Sequence, residues 1–283
     1  MLTLLFSLLL VSPAHSLSGT QVLARPSLQC ACSTEKKDML EEPQAFAFGK
    51  FEGQCVDSCR FRRARVLKQT AKQIEVGNVL HLGDFYSASI PLDAIDTVEI
   101  GFEEFALGIY HVFLRFGLNK PAVLHSQTDK KKAEVQVSSF VLSAEGVPPK
   151  GRHYSLFEAF LDQYLFAIRV TTGDEMLRWI ADLKHPSSFY PLKISAEQAA
   201  HTFRRGIEES ENKGVNTGYR LFTNNCSTAA LSLIDRETGY LMSPGFLNWN
   251  KFEMALPIKA PIGTFRALIT RKLVSRSEPT AIN

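Results

Sequence analysis

The segment NNCST, residues 224–228, holds the one cysteine that stands far from the other four. The residues that follow, STAALSLIDRETG, repeat apolar positions at helical spacing and end in a glycine. Asn225 is therefore the predicted N-cap, and Cys226 falls in the first turn of a helix. There the unpaired backbone N–H groups and the positive end of the helix dipole stabilise a thiolate. The N–H groups of Ser227 and Thr228 would stabilise an oxyanion, so one helix start predicts a nucleophile and its oxyanion site.

A cysteine nucleophile needs a base, and two histidines of the β-rich half are the candidates. His111 and His125 enclose the sequence HVFLRFGLNKPAVLH, which predicts two apolar strands around a turn near Leu118–Lys120. Such a hairpin would place the two imidazoles nearly opposite each other, with His111 as the base for Cys226 and His125 orienting it. The alternative is a buried, inert thiol and two ordinary strand histidines.

The other four cysteines lie in two close pairs, Cys30 with Cys32 and Cys55 with Cys59. In an oxidising compartment this cluster predicts two disulfides that join one pair to the other, with the connectivity open. A zinc site is the alternative, but the C-x-C and C-x3-C spacings differ from the CxxC knuckles of zinc proteins. No cofactor and no metal are predicted.

The first residues, MLTLLFSLLLVSPAHS, are typical of a secretory signal, with predicted cleavage after Ser16. An apolar run this short does not predict a membrane span. The formal net charge of the 283 residues is +3, with acidic and basic residues interspersed. This pattern lacks the charge asymmetry of a dedicated nucleic-acid binder, so no nucleic-acid partner is expected.

The elements that would position these groups divide the chain into a β-rich and a helical half, which predicts the α+β class. Short strands are predicted in 74–92, 97–100, 109–118 and 134–142. Helices are predicted in SLFEAFLDQYLFAIRV from Ser155, over 174–184, from Ser195, and from the NNC segment to Gly239.

Four regions follow from these patterns. Residues 1–16 are the predicted signal peptide, and 17–95 a cysteine-rich segment with short strands. Residues 96–245 are the predicted Cys/His catalytic domain. Residues 246–283 are expected to pack on that domain and to fray at the end, SRSEPTAIN.

The blocks YRLFTNNCSTAALSLID and YHVFLRF resemble, in order and separation, two blocks of the Lnb-type lipoprotein N-acyltransferase domain family. The resemblance covers about 97–239 and implies Cys226 as nucleophile and His111 as base. Tyr110 stands where the family has glycine, beside the base. A more distant likeness to the NlpC/P60 and lecithin-retinol acyltransferase class implies a permuted papain-like fold, with an antiparallel histidine-bearing sheet packed on helices, and His125 as orienter.

The resemblance implies export across the bacterial inner membrane to the periplasm or cell envelope. It implies a thioester acyl-enzyme that carries an acyl group from a lipid ester to an amine, with a lipid, lipoprotein or peptide substrate and peripheral membrane contact. An envelope amidase or peptidase with the same Cys–His chemistry is one alternative. A non-enzymatic envelope binding module on this fold is the other.

Overall fold

The computed structural model describes residues 30–32, 40–106, 108–129, 131–161, 163–221, 223–240, 260–275 and 280–282. The predicted signal peptide lies outside them. In chain order the elements are β1 (Arg65–Gln69), β2 (Gln73–His81), β3 (Asp84–Pro91), β4 (Ile95–Ala106), β5 (Ile109–Ser126), β6 (Val135–Val147), α1 (Leu156–Phe160), β7 (Leu165–Thr172), α2 (Gly173–Leu183), β8 (Ser187–Pro191), α3 (Ala196–Lys213), α4 (Cys226–Thr238), α5 (Ala260–Thr270) and β9 (Thr280–Ile282). The protein is therefore of the α+β class, as predicted.

The strands form one sheet, part of which closes on itself. Strands β2, β7, β6, β5 and β3 pair in that order, and β3 returns to β2, so these five make a closed barrel. All of these pairs are antiparallel except β2 with β7. The sheet continues beyond the barrel from β5 through β4 and β8 to β9, and β1 pairs with β2. Strands on both sides of residue 95 thus belong to the same sheet.

Helices cover both faces of the β5–β6 pair because apolar side chains alternate along these strands. On one face Phe113 and Val141 pack with Met176 and Ile180 of α2. On the other face, Val112, Leu114 and Leu142 belong to the main core, against which α3 and α4 pack. None of the helices in the described ranges is long and apolar enough to cross a membrane.

The predicted hairpin between His111 and His125 is wrong, because both residues lie on the single strand β5. Between Gly117 and Ala122 this strand advances five residues while β6 advances two, so the turn residues form a wide bulge instead of a reversal. On the other edge β4 pairing ends at Leu118 and β3 pairing begins at Val123. Pro121 lies between these two paired stretches of β5, at a position where no backbone N–H is needed to hydrogen-bond to a neighbouring strand.

The long helix predicted from Ser155 is also wrong. Only α1, five residues long, forms there, and Ser155 makes no side-chain cap. Ser155 and Glu158 have the spacing of a capping box, but the Glu158 carboxylate instead accepts a hydrogen bond from Tyr164 and pairs with Lys50. The segment after it becomes β7, every residue of which is buried. A fully buried strand reads as a continuous apolar run, which is hard to distinguish from a buried helix.

Two more predicted helices form, and one of them begins at its predicted cap, whereas α5 was not predicted. Ser195 and Gln198 form a reciprocal capping box at the start of α3. The helix predicted over 174–184 is α2, whose cap is Thr172. Residues 280–282 pair with β8 as β9, so the prediction of a frayed end is wrong for them.

Two disulfides hold the N-terminal arm, which consists of residues 30–32 and 40–64. They join Cys30 to Cys55 and Cys32 to Cys59, so each bridge links one pair to the other, as predicted.

Candidate active site

The helix α4 begins as the sequence predicted, with Cys226 as its first residue. The Asn225 side chain accepts a hydrogen bond from the Thr228 N–H at 2.9 Å, and Thr228 Oγ1 accepts one from the Asn225 N–H. Because this capping box uses the Thr228 N–H, that group is not available to an oxyanion, contrary to the prediction. The N–H groups of the first turn that can bind an oxyanion are therefore those of Cys226 and Ser227. Asn225 thus holds the helix start and lines the pocket.

The Cys226 thiol sits where strands β5 and β6 part. Their ladder ends at the pair Phe113 and Ser143, after which β6 remains paired with β7 alone. The Val112 N–H, one residue beyond the last pair, hydrogen-bonds to the sulfur. The sulfur therefore accepts the hydrogen bond that a β6 carbonyl would otherwise accept from Val112. The residue of β5 that precedes Val112 is His111.

His111 contacts both Cys226 and Ser143. Its Nε2 lies 2.6 Å from Ser143 Oγ, and its ring hydrogen-bonds to the Cys226 side chain. Ser143 is opposite Phe113, two residues from His111 on the same face, which is the diagonal position that an imidazole reaches. The ring is thus fixed between a hydroxyl and a thiol.

The electrostatics of this contact favour a thiolate with an imidazolium. Burial lowers the pKa of His111, but Cys226, Glu145 and Glu103 together raise it to about 9. Burial raises the pKa of the Cys226 thiol. The hydrogen bonds from His111, the Val112 N–H and the Tyr219 hydroxyl oppose this effect and lower the pKa below the ordinary value of a thiol. Each partner stabilises the charged form of the other. A thiolate is the form of cysteine that reacts as a nucleophile.

The two carboxylates near His111 are held by separate partners. Glu103 is opposite His111 on β4, and its Oε1 lies 2.6 Å from His185 Nδ1. Glu145 pairs with Arg169, whose guanidinium is fully buried and also donates to the carbonyl of Arg60 in the N-terminal arm. The negative charge of both carboxylates raises the pKa of His111.

An apolar pocket of about 260 Å³ opens above the thiol. Its walls come from the turn between β4 and β5, from α2, from the segment before α4 and from the N-terminal arm. The lining is mostly aromatic and aliphatic and includes Phe61, Phe105, Ile109, Tyr154, Trp179 and Leu183. Its polar members, Glu103, His111, Glu145, Asn225, Cys226 and Ser227, are those around the thiol and the imidazole. Such a cavity accommodates an apolar group and presents it to the sulfur.

His125 does not lie at this site. It is fourteen residues from His111 along one strand, a path on the order of 40 Å. Its side chain is half exposed and its Nδ1 lies 3.2 Å from Glu134 Oε1. The expected neighbour of His111 was misplaced because the bulge in β5 resembles a turn in sequence.

Of the three tyrosines that line the pocket, Tyr110 and Tyr219 differ in what their hydroxyl groups contact. Tyr110 forms part of the wall, and its hydroxyl hydrogen-bonds to Glu104. Tyr219 donates its hydroxyl to the Cys226 sulfur at 3.8 Å, and burial together with the thiolate raises the pKa of that phenol, which keeps it protonated. Tyr219 is thus the tyrosine whose hydroxyl hydrogen-bonds to the Cys226 sulfur.

A family model described as the Lnb N-terminal periplasmic domain matches residues 87–271. The chain belongs to this family. The Lnb match contains His111, Ser143, Tyr219 and Cys226, and it begins within β3, after the disulfide-linked arm. The periplasmic description of the Lnb domain and the two disulfides fit the predicted envelope location. No curated protein and no solved structure matches the chain.

Two side chains that contact Cys226 or His111, Tyr219 and Ser143, were not among the predicted site residues. Tyr219 is the first residue of the YRLFTNNC block, so the motif contained it, although nothing in the motif states that its hydroxyl meets the sulfur. Ser143 is one serine in the apolar run FVLSAEG. The sequence feature that could have identified Ser143 is a hydroxyl within an apolar strand, because a buried hydroxyl needs a hydrogen-bond partner.

Proposed function

We propose that this protein is an exported cysteine acyltransferase that moves an acyl group from a lipid ester to an amine, as in lipoprotein N-acylation. One observation carries the proposal: the Cys226 thiol contacts His111 at the base of an apolar pocket. The family match supports an envelope setting for this chemistry. The order of a histidine strand before a cysteine helix also supports a permuted papain-like arrangement.

In the first step the thiolate attacks the carbonyl carbon of the ester. The new C–S bond places negative charge on the carbonyl oxygen, and the N–H groups of Cys226 and Ser227 with the Tyr219 hydroxyl are the donors for it. The ester C–O bond then breaks, and His111 gives its proton to the leaving alkoxide. A thioester on Cys226 and a free alcohol result.

In the second step an amine attacks the thioester carbonyl. His111, now neutral, takes the proton that the nitrogen loses as the C–N bond forms. The C–S bond breaks, and the products are an amide and the restored thiolate–imidazolium pair. With Nε2 bound to Ser143, proton exchange at the sulfur falls to Nδ1, so Ser143 is a positioning residue.

The character of the pocket favours an acyl donor over a peptide. Peptide recognition needs several polar partners for the backbone of the substrate. The walls here are mainly aromatic and aliphatic, among them Trp179 and Leu183 of α2. An alkyl chain gains from burial against such a surface.

The test is a transfer assay with purified protein, a phospholipid ester and a lipopeptide that has a free N-terminal amine. Mass spectrometry should find the N-acylated lipopeptide with the wild type and with Ser232→Ala, a control on α4. Cys226→Ala should form none. Peptide cleavage in place of transfer would reassign the protein as a peptidase, and no reaction with either substrate would favour a binding module.

A further inference from the structure

Large apolar side chains are exposed around the mouth of the pocket. Among the described residues six such side chains are exposed; two of them line the pocket, and two more follow one of these closely in the chain. Tyr154 and Leu183 line the pocket and are 40% and 55% exposed. Phe157 and Leu161, at 73% and 51%, follow Tyr154 closely in the chain, on α1 and at its C-terminal end. We call these four residues the mouth patch.

Three of the four mouth-patch residues, Tyr154, Phe157 and Leu161, lie on or beside α1, which is held in place, and Leu183 ends α2. Tyr164 accepts a hydrogen bond from the Ser155 N–H at 2.7 Å and donates to Glu158 Oε2 at 2.9 Å, which ties the start and the middle of α1 to the residue just before β7. The Tyr154 and Tyr164 rings pack with their centroids 5.1 Å apart. Phe157 and Leu161 are four residues apart, so they point to the same side of the turn. Exposed apolar groups held in this way are typical of an interaction surface.

Basic side chains accompany the mouth patch. Lys150 and Arg152 are exposed just before it, and Lys184 is exposed next to Leu183. Within 150–161 the single carboxylate is Glu158, and both Lys50 and Arg152 lie within 3.6 Å of it. Next to Leu183, the exposed carboxylate of Asp182 accompanies Lys184. Counted together, the described cations Lys50, Lys150, Arg152 and Lys184 outnumber the carboxylates Glu158 and Asp182 around the apolar groups. This combination matches the headgroup region of an anionic bilayer, where apolar side chains insert and cations meet phosphates.

We propose that the mouth patch docks on the surface of an anionic phospholipid bilayer, with the pocket open toward the lipid. Tyr154 and Leu183 belong to both the patch and the pocket, so lipid contact and access to Cys226 are joined in one surface. This proposal rests on the proposed function in one respect: the molecule that enters the pocket from the bilayer is taken to be a lipid ester. A docked pocket receives that ester directly from the membrane.

The experiment measures co-sedimentation of the mature protein with vesicles. Cys226→Ala protein is used, so that docking is measured without turnover. Vesicles of phosphatidylethanolamine with phosphatidylglycerol should bind it, and vesicles of phosphatidylcholine alone should bind it more weakly. Binding should weaken as salt is added. The double variant Phe157→Asp with Leu161→Asp should bind at least about tenfold more weakly, because two apolar anchors are lost and two like charges face the lipid.

The matched control is Leu82→Asp, because Leu82 is 56% exposed and lies at the turn between β2 and β3. It should bind like the parent protein. A soluble short-chain activated ester should acylate Cys226 equally in otherwise wild-type protein and in the Phe157 and Leu161 double variant. Absent vesicle binding, or equal binding by the double variant, would overturn the docking proposal. Intact docking with no acylation by the soluble ester would instead overturn the proposed function.

Discussion

His111 Nε2 lies 2.6 Å from Ser143 Oγ, at the last paired position of β5 and β6. The contact fixes the ring on a strand, and the same ring meets the thiol at the start of α4. Beyond this position the strands part, and the space between them holds the Cys226 sulfur. A serine on the neighbouring strand therefore occupies the place that the sequence predicted for a second imidazole.

Ser143→Ala should lower the rate of Cys226 acylation by a soluble ester about tenfold to a hundredfold, because an imidazole that turns is misaligned for proton transfer. Ser143→Thr keeps a hydroxyl and should recover part of the rate. The matched control is Ser138→Ala, an exposed serine on the same strand. An unchanged rate in Ser143→Ala would show that Ser143 does not position His111.

His125→Ala should leave the acylation rate within about twofold of the wild type. The side chain is half exposed, and its pairing with Glu134 is of the kind that contributes little. His111→Ala, measured in parallel, should lose most of the activity. A loss in His125→Ala as large as that in His111→Ala would contradict the placement of the two residues on one long strand.

Tyr219→Phe should lower the acylation rate by about tenfold to a thousandfold, because one donor to the developing oxyanion is lost. The substitution removes only a hydroxyl, so the aromatic packing is kept. Tyr240→Phe is the matched control, since its hydroxyl donates to the Arg271 carbonyl, away from the pocket. Equal rates in Tyr219→Phe and the wild type would show that the hydroxyl has no part in the reaction.

The buried pair of Asp235 and Arg271, 2.7 Å apart, links α4 to the residue after α5. Burial raises the pKa of Asp235 to about 6, although Arg271 opposes that shift. Because the folded pKa exceeds the unfolded value of about 3.9, the native state binds the proton more tightly. The contribution of this carboxyl to the free energy of unfolding therefore decreases as the pH rises from about 4 to about 6.

Arg271→Met should consequently cost about 3–5 kcal/mol of unfolding free energy at pH 8, where the carboxylate is left buried and unpaired. At pH 4.5 the loss should be much smaller, since Asp235 is then protonated. Urea unfolding at the two pH values checks this. Arg236→Met, which removes a half-exposed partner of Glu209, should cost little at either pH. Equal losses in Arg271→Met at both pH values would contradict the raised pKa.

The elements that the sequence predicted well are those defined by local signals. Helix starts at Ser195 and Asn225 depend on contacts within four residues, and both capping boxes form. The elements that it missed depend on distant partners. Burial on both faces makes the residues after Glu158 a strand, and a bulge between two successive partners keeps β5 continuous.

The site divides in the same way. Cys226 and His111 stand in short motifs, and the helix start that activates the thiol can be read from one segment of sequence. Ser143 is brought to His111 by strand register, which no local pattern specifies. The closure of the barrel likewise depends on β2 meeting β7 and β3 meeting β5, far along the chain.

The proposed chemistry requires that His111 hold Cys226 as a thiolate near neutral pH. The direct measurement is the rate of alkylation of Cys226 by a small reagent at graded pH, followed by intact mass. Because Cys226 is the one cysteine outside the two disulfides, the mass change reports on it alone. The wild type should show a midpoint well below the ordinary thiol value of about 8.5, and His111→Ala should move it above that value, since burial alone raises it. A wild-type midpoint at or above about 8.5, or one that His111→Ala leaves unchanged, would contradict this requirement.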